Sequence, residues 1–161
     1  MKEHLHVNDL MIGDWVHMEA HRGFKEQNIR VITIPDSTFG MFGGYGHIGA
    51  FPKSEDNDFR DVEDRHLFGI QLTDQILEKN GFVFTDQHDW MTDAMEEVWK
   101  IEDIKKDYCI ELENGEDDYG NEYYVVRASH GANSVEKYVK YVHTFQHILK
   151  LLNIDFDIEK L

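Results

Sequence analysis

The feature that most constrains the fold of this 161-residue chain is a regular apolar pattern near its end. Between residues 134 and 152, apolar side chains recur at alternating intervals of three and four, the repeat of one helical face. The pattern predicts a long amphipathic helix that begins after an N-cap at Asn133 or Ser134 and packs on a sheet. Its apolar positions are Val135, Tyr138, Val142, Phe145, Leu149 and Leu152.

Segments rich in β-branched residues predict strands elsewhere. MIGDWVHM begins with a turn at Gly13 and Asp14 and continues as a strand from Trp15. IRVITI is the expected antiparallel partner, which gives a small β-unit of SH3-like or roll type over residues 10–34. DYCIEL and EYYVVRA predict a hairpin around the acidic loop ENGEDDYG.

One short helix is predicted within LTDQILEKNGF, with Thr73 as its N-cap and Gly81 just after its end. Residues 82–105 fit strand or helix. The predicted fold class is therefore α+β, with the small β-unit and the hairpin packed by the long C-terminal helix and this short helix. We expect a single domain over residues 1–161, with an irregular, glycine-rich and acidic excursion at 35–69.

The charge of the chain restricts its partners. There are 32 acidic and 16 basic residues, giving a net charge of −16. Residues 86–118 hold 13 of the acids against three lysines. Such a field repels nucleic acid, whose binding depends on Lys and Arg contacts to phosphate, and it attracts basic protein surfaces. Acidic side chains also keep a protein soluble, and solubility is the simpler explanation of the negative charge.

The sequence predicts a protein of a reducing bacterial cytoplasm, with no membrane partner and no cofactor. Its N-terminus lacks the apolar stretch of a signal peptide, and no segment approaches the ~18 apolar residues of a membrane span. Cys109 is the only cysteine, so no internal disulfide forms, and its strand context favours a structural role over a nucleophilic one.

The segment GYGHIG, from Gly44 to Gly49, has the G-x-G-x-x-G spacing of a dinucleotide-binding turn. That turn requires a strand immediately before it and a helix beginning at the third glycine. Here the preceding strand ends ten residues earlier, and Pro52 and an acidic run follow. We therefore expect a glycine-hinged loop that presents Phe42 and Tyr45 to a partner.

Two histidines raise an alternative. His143 and His147 lie four residues apart in the predicted helix, a spacing at which two imidazoles can share a metal ion. The helical pattern places both on the exposed face, and HTFQH lacks the glutamate of H-E-x-x-H. A metal-dependent hydrolase that uses this pair and nearby carboxylates is the alternative function.

Three segments in the same order resemble a group of small proteins of Bacteroidetes genomes, often carried in phages and other mobile elements. DLMIGDWV, GIQLTDQILEKNGF and VKYVHTFQHILKLLNI are similar to "LRIGNWV", "PIPLTEEILLKCGF" and "IKYLHQLQNLYFALTG". The chain departs at residues 35–66, a longer excursion, and at Thr144 and His147, where the group tends to have Gln and Asn. The resemblance implies a small α+β domain in a mobile-element setting and transfers no catalytic residue.

These observations favour a non-catalytic, acidic protein-binding module. The expected partner is a basic protein surface, such as that of a host nucleic-acid-binding protein or defence nuclease. The module would inhibit it, as anti-CRISPR proteins do, by occlusion or nucleic-acid mimicry. A structural accessory protein of a phage is a further alternative. The expected partner-binding residues are Phe42, Tyr45, Glu96, Glu97, Glu116, Asp117 and Asp118.

Overall fold

The structure is a computed structural model that describes residues 4–20, 25–33, 47–52, 60–89, 94–156, 158 and 160–161. The chain divides into two compact units, Met1–Ile70 and Gln71–Leu161, each built on a five-stranded antiparallel sheet. Each unit is described by itself below. The single domain over residues 1–161 stays a prediction.

The first unit is a strand meander whose last strand returns beside the first. Its strand order is β4-β3-β2-β1-β5. A single turn of 3-10 helix at Asp64–His66 connects β4 to β5. The strands are β1 (Trp15–Met18), β2 (Gln27–Thr33), β3 (His47–Pro52), β4 (Arg60–Glu63) and β5 (Leu67–Phe68).

The Gly-Asp turn and the first hairpin are confirmed as predicted. Gly13 has a positive φ of 96°, a conformation that suits glycine, and the Asp14 carboxylate accepts a 2.6 Å hydrogen bond from the Met11 amide. The chain leaves this turn as β1, which pairs with β2 from Trp15 opposite Arg30. A buried cluster then fills the unit: Leu5, Leu10, Val16, Met18, Ile29, Val31, Val62 and Leu67.

The second unit is a simple meander of five strands with a helix before it and another after it. Its strand order is β10-β9-β8-β7-β6, and every neighbouring pair is antiparallel. Helix α2 contacts β9 and β10, and α1 contacts β6. The elements are α1 (Asp74–Lys79), β6 (Val83–Asp89), β7 (Ala94–Asp103), β8 (Tyr108–Glu116), β9 (Glu122–His130), β10 (Asn133–Val139) and α2 (Val142–Leu151).

The short helix α1 begins and ends where the sequence predicts. The Thr73 hydroxyl accepts a hydrogen bond from the Ile76 amide at 3.3 Å, which caps the helix. Gly81 follows with a φ of 90°, and its amide donates to the Glu78 carbonyl. The hairpin of DYCIEL with EYYVVRA is also confirmed, because β8 pairs with β9.

The predicted α+β fold class is wrong, because the protein is mainly β and holds no long C-terminal helix. Residues 134–139 belong to strand β10, which pairs with β9 in an unbroken register from Asn133 opposite His130 to Val139 opposite Tyr124. The helix is only the ten residues of α2. Tyr138, expected in the core, is 72% exposed.

Tertiary pairing explains this error. The apolar spacing of residues 135–152 fits a helix, but Val135 and Val139 also alternate on one face of a strand. Gly131 and Ala132 form a two-residue connection between β9 and β10, and Gly131 has a φ of 58°. Glycine at the first position of such a loop is a hairpin signal, and pairing with β9 then outweighs the helical pattern.

The described part of the 35–69 excursion is not irregular, since it contains β3, β4 and β5. The described part of residues 82–105, which fitted strand or helix, forms the strands β6 and β7. Gly49, the third glycine of GYGHIG, lies inside β3 opposite Asp61 instead of opening a helix. A dinucleotide turn is therefore not formed at this position. Among the described residues, no helix is long and apolar enough to cross a membrane.

Candidate functional site

Two hairpins of the second unit place their ends at the same end of its sheet. Strand β7 runs antiparallel to both β6 and β8, and β8 runs antiparallel to β9. The end of β6, the start of β7 and the turn after β8 therefore lie at one end. The turn after β7 lies at the other.

The β6–β7 hairpin extends beyond the last pair of β7 with β8, as does the β8–β9 hairpin, whose pairing continues to Glu116 opposite Glu122. β7 pairs with β6 from Ala94 onward, but its recorded pairing with β8 begins only at Val98. The part of β7 from Ala94 to Glu97 is therefore paired with β6 alone. This geometry gives a two-stranded arm whose strand residues run from 86 to 89 and from 94 to 97.

Both hairpin ends are strongly acidic. Residues 86–89 and 94–97 contain four acids and residues 116–122 contain four, and none of these segments contains Lys or Arg. We call residues 86–89, 94–97 and 116–122 together the acidic end. The turn after β7 holds Lys105 and Lys106. The sheet is thus negative at one end, while its lysine-bearing turn lies at the other.

The two basic side chains in the middle of the sheet are already paired with acids. Lys100 Nζ lies 3.0 Å from Glu111 Oε1, and the hydrogen bond to Glu111 raises the pKa of the lysine. Arg127 bridges Glu113 and Glu136, at 3.0 and 3.1 Å. These cations therefore balance neighbouring glutamates on the strands, while Lys140, which directly follows β10, is a basic residue whose charge reaches Asp117 at the acidic end.

The turn between β8 and β9 is ordered by one of its own carboxylates. Asp117 Oδ1 accepts hydrogen bonds from the amides of Tyr119 and Asn121, each at 2.9 Å. The side chain of Asn121 also donates to both carboxylate oxygens of Asp117, and this hydrogen bonding lowers the pKa of Asp117. Asp117 is exposed, so its negative charge faces solvent, and the hydrogen bonds of the turn fix the position of its carboxylate.

Helix α1 is attached to the sheet close to this end through the carboxylate of Asp74. Asp74 Oδ1 accepts a hydrogen bond from Trp99 Nε1 of β7 at 2.9 Å and one from the Tyr124 hydroxyl of β9 at 2.6 Å. Burial raises the pKa of Tyr124, and the hydrogen bond to Asp74 raises it further. No local pattern in the sequence predicts this arrangement, because the three residues are up to 50 positions apart.

A cavity of about 680 Å³ opens between the start of α1 and the β8–β9 hairpin. Its lining includes Tyr123, whose ring lies over Gly115, where a Cβ atom would collide with it. The ring of Tyr123 also makes an edge-on contact with Tyr138, with 5.2 Å between ring centroids. Neither the cavity nor the contact of Tyr123 with Gly115 was predicted from the sequence. A glycine within a strand is nevertheless a known signal that another group approaches the backbone closely there.

The structure brings most of the predicted site residues to the acidic end. Glu97, Glu116, Asp117 and Asp118 are exposed there, and Glu96 occupies the neighbouring position of β7. Phe42 and Tyr45 lie outside the described residues. The assignment of these seven residues to partner binding stays a prediction.

The histidine pair lies on α2, but one member is not on the exposed face that the sequence predicted. His143 is only 5% exposed, and its ring stacks on Tyr141 with 5.8 Å between centroids. The prediction was wrong because the buried face of α2 is wider than the apolar pattern: it holds the predicted Val142, Phe145 and Leu149, and also His143 and Gln146. His147 lies 5.9 Å from the His143 ring. In the described part of the chain, no group of three or more His, Cys, Asp or Glu is placed to hold a metal ion.

The single cysteine is poorly suited to nucleophilic chemistry. Cys109 lies on β8 with its Sγ 3.8 Å from Glu111 Oε1. Burial raises the pKa of the thiol, so the protonated form dominates at neutral pH. Comparison of the chain with models of protein families, with curated proteins and with solved structures finds no match.

Proposed function

We propose that this protein is a non-catalytic, acidic protein-binding module that docks on a basic surface of another protein. The observation that supports it most is the placement of two acidic hairpin ends at one end of the second sheet. The eight acids of these segments, which contain no Lys or Arg, attract a basic surface and increase the rate of encounter with it.

Strand pairing at the acidic end favours binding over solubility as the reason for this charge. Asp86 lies directly opposite Glu97 in the β6–β7 pair, and both are exposed. Like charges at directly opposite positions destabilise a sheet. If the acidic side chains served only solubility, they could lie at surface positions where they do not repel one another. A binding surface, in contrast, needs its negative charges close together, even where neighbouring charges repel.

The partner we propose is a host protein whose basic cleft normally holds nucleic acid. Such clefts present Lys and Arg to phosphates, and carboxylates can occupy the same positions. The protein then acts as an inhibitor of a nucleic-acid-binding protein or defence nuclease, by occlusion or by nucleic-acid mimicry. The resemblance to phage-borne proteins of Bacteroidetes supports the proposal that this activity takes place in the cytoplasm of a bacterial host.

The test is affinity capture from a Bacteroidetes host lysate with two charge variants of equal net charge. One variant carries Glu97→Lys and Asp118→Lys at the acidic end. The control carries Glu78→Lys and Asp155→Lys, which are exposed acids outside the acidic end. We expect a basic nucleic-acid-binding protein to be retained by the wild type and the control and lost by the acidic-end variant.

Competition with nucleic acid defines the mode of action. If the protein occupies a nucleic-acid cleft, double-stranded DNA or RNA added to the captured complex should release it. Equal capture by both charge variants would contradict the proposal, as would retention of no basic protein. A partner that binds nucleic acid and this protein at the same time would exclude both occlusion of the cleft and mimicry.

A further inference from the structure

The side chain of Asn80 joins the end of helix α1 to the chain that follows α2. Its Nδ2 donates hydrogen bonds to the carbonyl oxygens of Ile76 and Lys160, each at 2.8 Å. Its Oδ1 accepts a hydrogen bond from the Lys160 amide at 3.1 Å. Asn80 is the C-cap residue of α1, so one amide group ties the helix end to a backbone 80 positions further along. We call the two hydrogen bonds between Asn80 and Lys160 the Asn80 clasp.

The clasp closes over a segment that packs back on the second unit. We call residues 153–156, 158 and 160 the return segment. Ile154 and Ile158 are buried, and the Phe156 ring meets the Phe82 ring edge-on, with 5.6 Å between centroids. The return segment is therefore seated by apolar contacts, and the clasp fixes the backbone that follows them.

The residue after Asn80 is Gly81, and Asn-Gly is the pair of residues at which an asparagine most readily loses its side-chain nitrogen. The backbone nitrogen of the glycine attacks the side-chain carbonyl carbon and bonds to it, and ammonia leaves with the amide proton. Water then opens the resulting cyclic imide at either carbonyl, which gives aspartate or isoaspartate. Glycine has no side chain to obstruct the attack. Gly81 is also exposed, and a Cβ atom placed on it would meet no other described atom within 4 Å, so water reaches the site.

The clasp opposes this reaction. The attack requires the Asn80 side chain to turn toward the nitrogen of Gly81. The hydrogen bonds hold it instead toward Ile76 and Lys160. The Gly81 amide itself donates to the Glu78 carbonyl at 3.0 Å. Both hydrogen bonds of the clasp are exposed to solvent, and exposed hydrogen bonds open locally without unfolding of a sheet.

We propose that Asn80 is a deamidation site and that its reaction releases the return segment in one direction only. The reaction proceeds from the state in which the clasp is open. Its product has no N–H donor, and its carboxylate would face the carbonyl oxygens of Ile76 and Lys160, which repel it. The clasp therefore does not re-form, and it no longer holds Phe156 against Phe82. This proposal is independent of the proposed function.

The chain contains a matched control, because Asn114 and Gly115 form its other Asn-Gly pair. Asn114 lies inside β8, and the Tyr123 ring covers Gly115, so this pair reacts only after the hairpin opens. The protein is incubated at mildly alkaline pH, and mass spectrometry of its peptides measures aspartate and isoaspartate at each site. We expect Asn80 to react about tenfold or more faster than Asn114 in the folded protein, and both to react at similar rates in urea. A folded-state rate at Asn80 no faster than at Asn114 would overturn the proposal.

A variant that loosens the return segment tests whether the clasp sets the rate. Phe156→Ala removes the ring that packs on Phe82, so deamidation of Asn80 should become several-fold faster while that of Asn114 stays unchanged. The matched control is Phe84→Ala, which removes an aromatic ring of the same unit outside the return segment. No acceleration by Phe156→Ala, or equal acceleration by the control, would overturn the proposal, because the reaction would then follow general unfolding.

Asn80→Asp reproduces one product of the reaction and tests the release itself. In hydrogen exchange followed by NMR, the Lys160 amide should exchange about tenfold or more faster than in the wild type, while the Leu112 amide of β8 keeps its protection. Asn114→Asp, the control, should leave the exchange of the Lys160 amide unchanged. Wild-type protection of the Lys160 amide in Asn80→Asp would overturn the one-way release.

Discussion

The Tyr124 hydroxyl of strand β9 donates a 2.6 Å hydrogen bond to Asp74 Oδ1, at the first position of helix α1. Trp99 Nε1 of β7 donates to the same oxygen. One carboxylate therefore attaches a helix to two strands that are not neighbours in the sheet. This attachment forms part of the lining of the cavity beside the acidic end.

Removing the Tyr124 hydroxyl should destabilise the protein measurably. A hydrogen bond to a charged group contributes ~1.5–3 kcal/mol, and since Asp74 is exposed we expect Tyr124→Phe to cost about 1.5 kcal/mol of unfolding free energy. The measurement is urea unfolding. Tyr119→Phe is the control, because Tyr119 is 91% exposed, and its cost should be close to zero. Equal costs for the two variants would show that the hydrogen bond to Asp74 contributes nothing.

The same tyrosine predicts a loss of stability at high pH. Its pKa is raised in the folded state above the ordinary value of 10.0. Its contribution is therefore fully present below pH 10 and is lost as the pH rises, because the unfolded chain releases the proton first. Between pH 10 and 11, wild-type stability should fall more steeply than that of Tyr124→Phe, by at most about 1.4 kcal/mol per pH unit. Parallel pH profiles would contradict the assignment.

The position of β10 is tested by two aromatic residues that the helical pattern placed together in the core. Phe145 is fully buried, so Phe145→Ala should cost about 3–5 kcal/mol. Tyr138 is 72% exposed and contacts Tyr123 edge-on, so Tyr138→Ala should cost only about 0.5–1.5 kcal/mol. If thermal unfolding showed that both variants lose an equal and large amount of unfolding free energy, residues 134–139 would instead have to belong to a helix.

The β8–β9 turn predicts a low pKa for Asp117. Hydrogen bonding from the side chain of Asn121, and then from its backbone, holds this pKa below the ordinary value of 3.8. The order that Asp117 gives the turn is therefore present above pH 3.8 and is lost as the pH falls through the lower, folded-state pKa. Carboxyl-carbon NMR should show the midpoint below 3.8, and Asp117→Ala should speed exchange of the Tyr119 and Asn121 amides. A midpoint at or above 3.8 would refute the turn geometry.

Local signals in the sequence predicted the elements whose structure is decided locally. Thr73 and Gly81 delimit α1, and the Gly13–Asp14 turn starts β1, because capping and turn geometry depend on a few adjacent residues. The C-terminal segment failed because its apolar residues fit two periods at once. These are the periods of a helix and of a strand, and the pairing of Val139 opposite Tyr124 in β9 decides in favour of the strand.

The sequence predicted which residues give the candidate site its charge, but it did not predict how those residues are arranged in space. Acid density along the chain identified Glu97 and Glu116, since local charge is visible in any sequence. Their placement at one end depends on the order of four strands, which no local pattern specifies. The cavity depends on the position of α1 beside the β8–β9 hairpin, which follows only from contacts between distant residues such as Tyr124 and Asp74.

The central claim is that the acidic end carries the electrostatic attraction to a basic partner. The most direct measurement is the association rate constant with the captured partner as a function of salt, for wild type, Glu97→Lys/Asp118→Lys and the control Glu78→Lys/Asp155→Lys. The account predicts that the acidic-end variant associates about tenfold or more slowly at low salt, with a flattened salt dependence, while the control stays near the wild type. Identical salt profiles for the two variants would contradict it, because attraction would then follow net charge and not the acidic end.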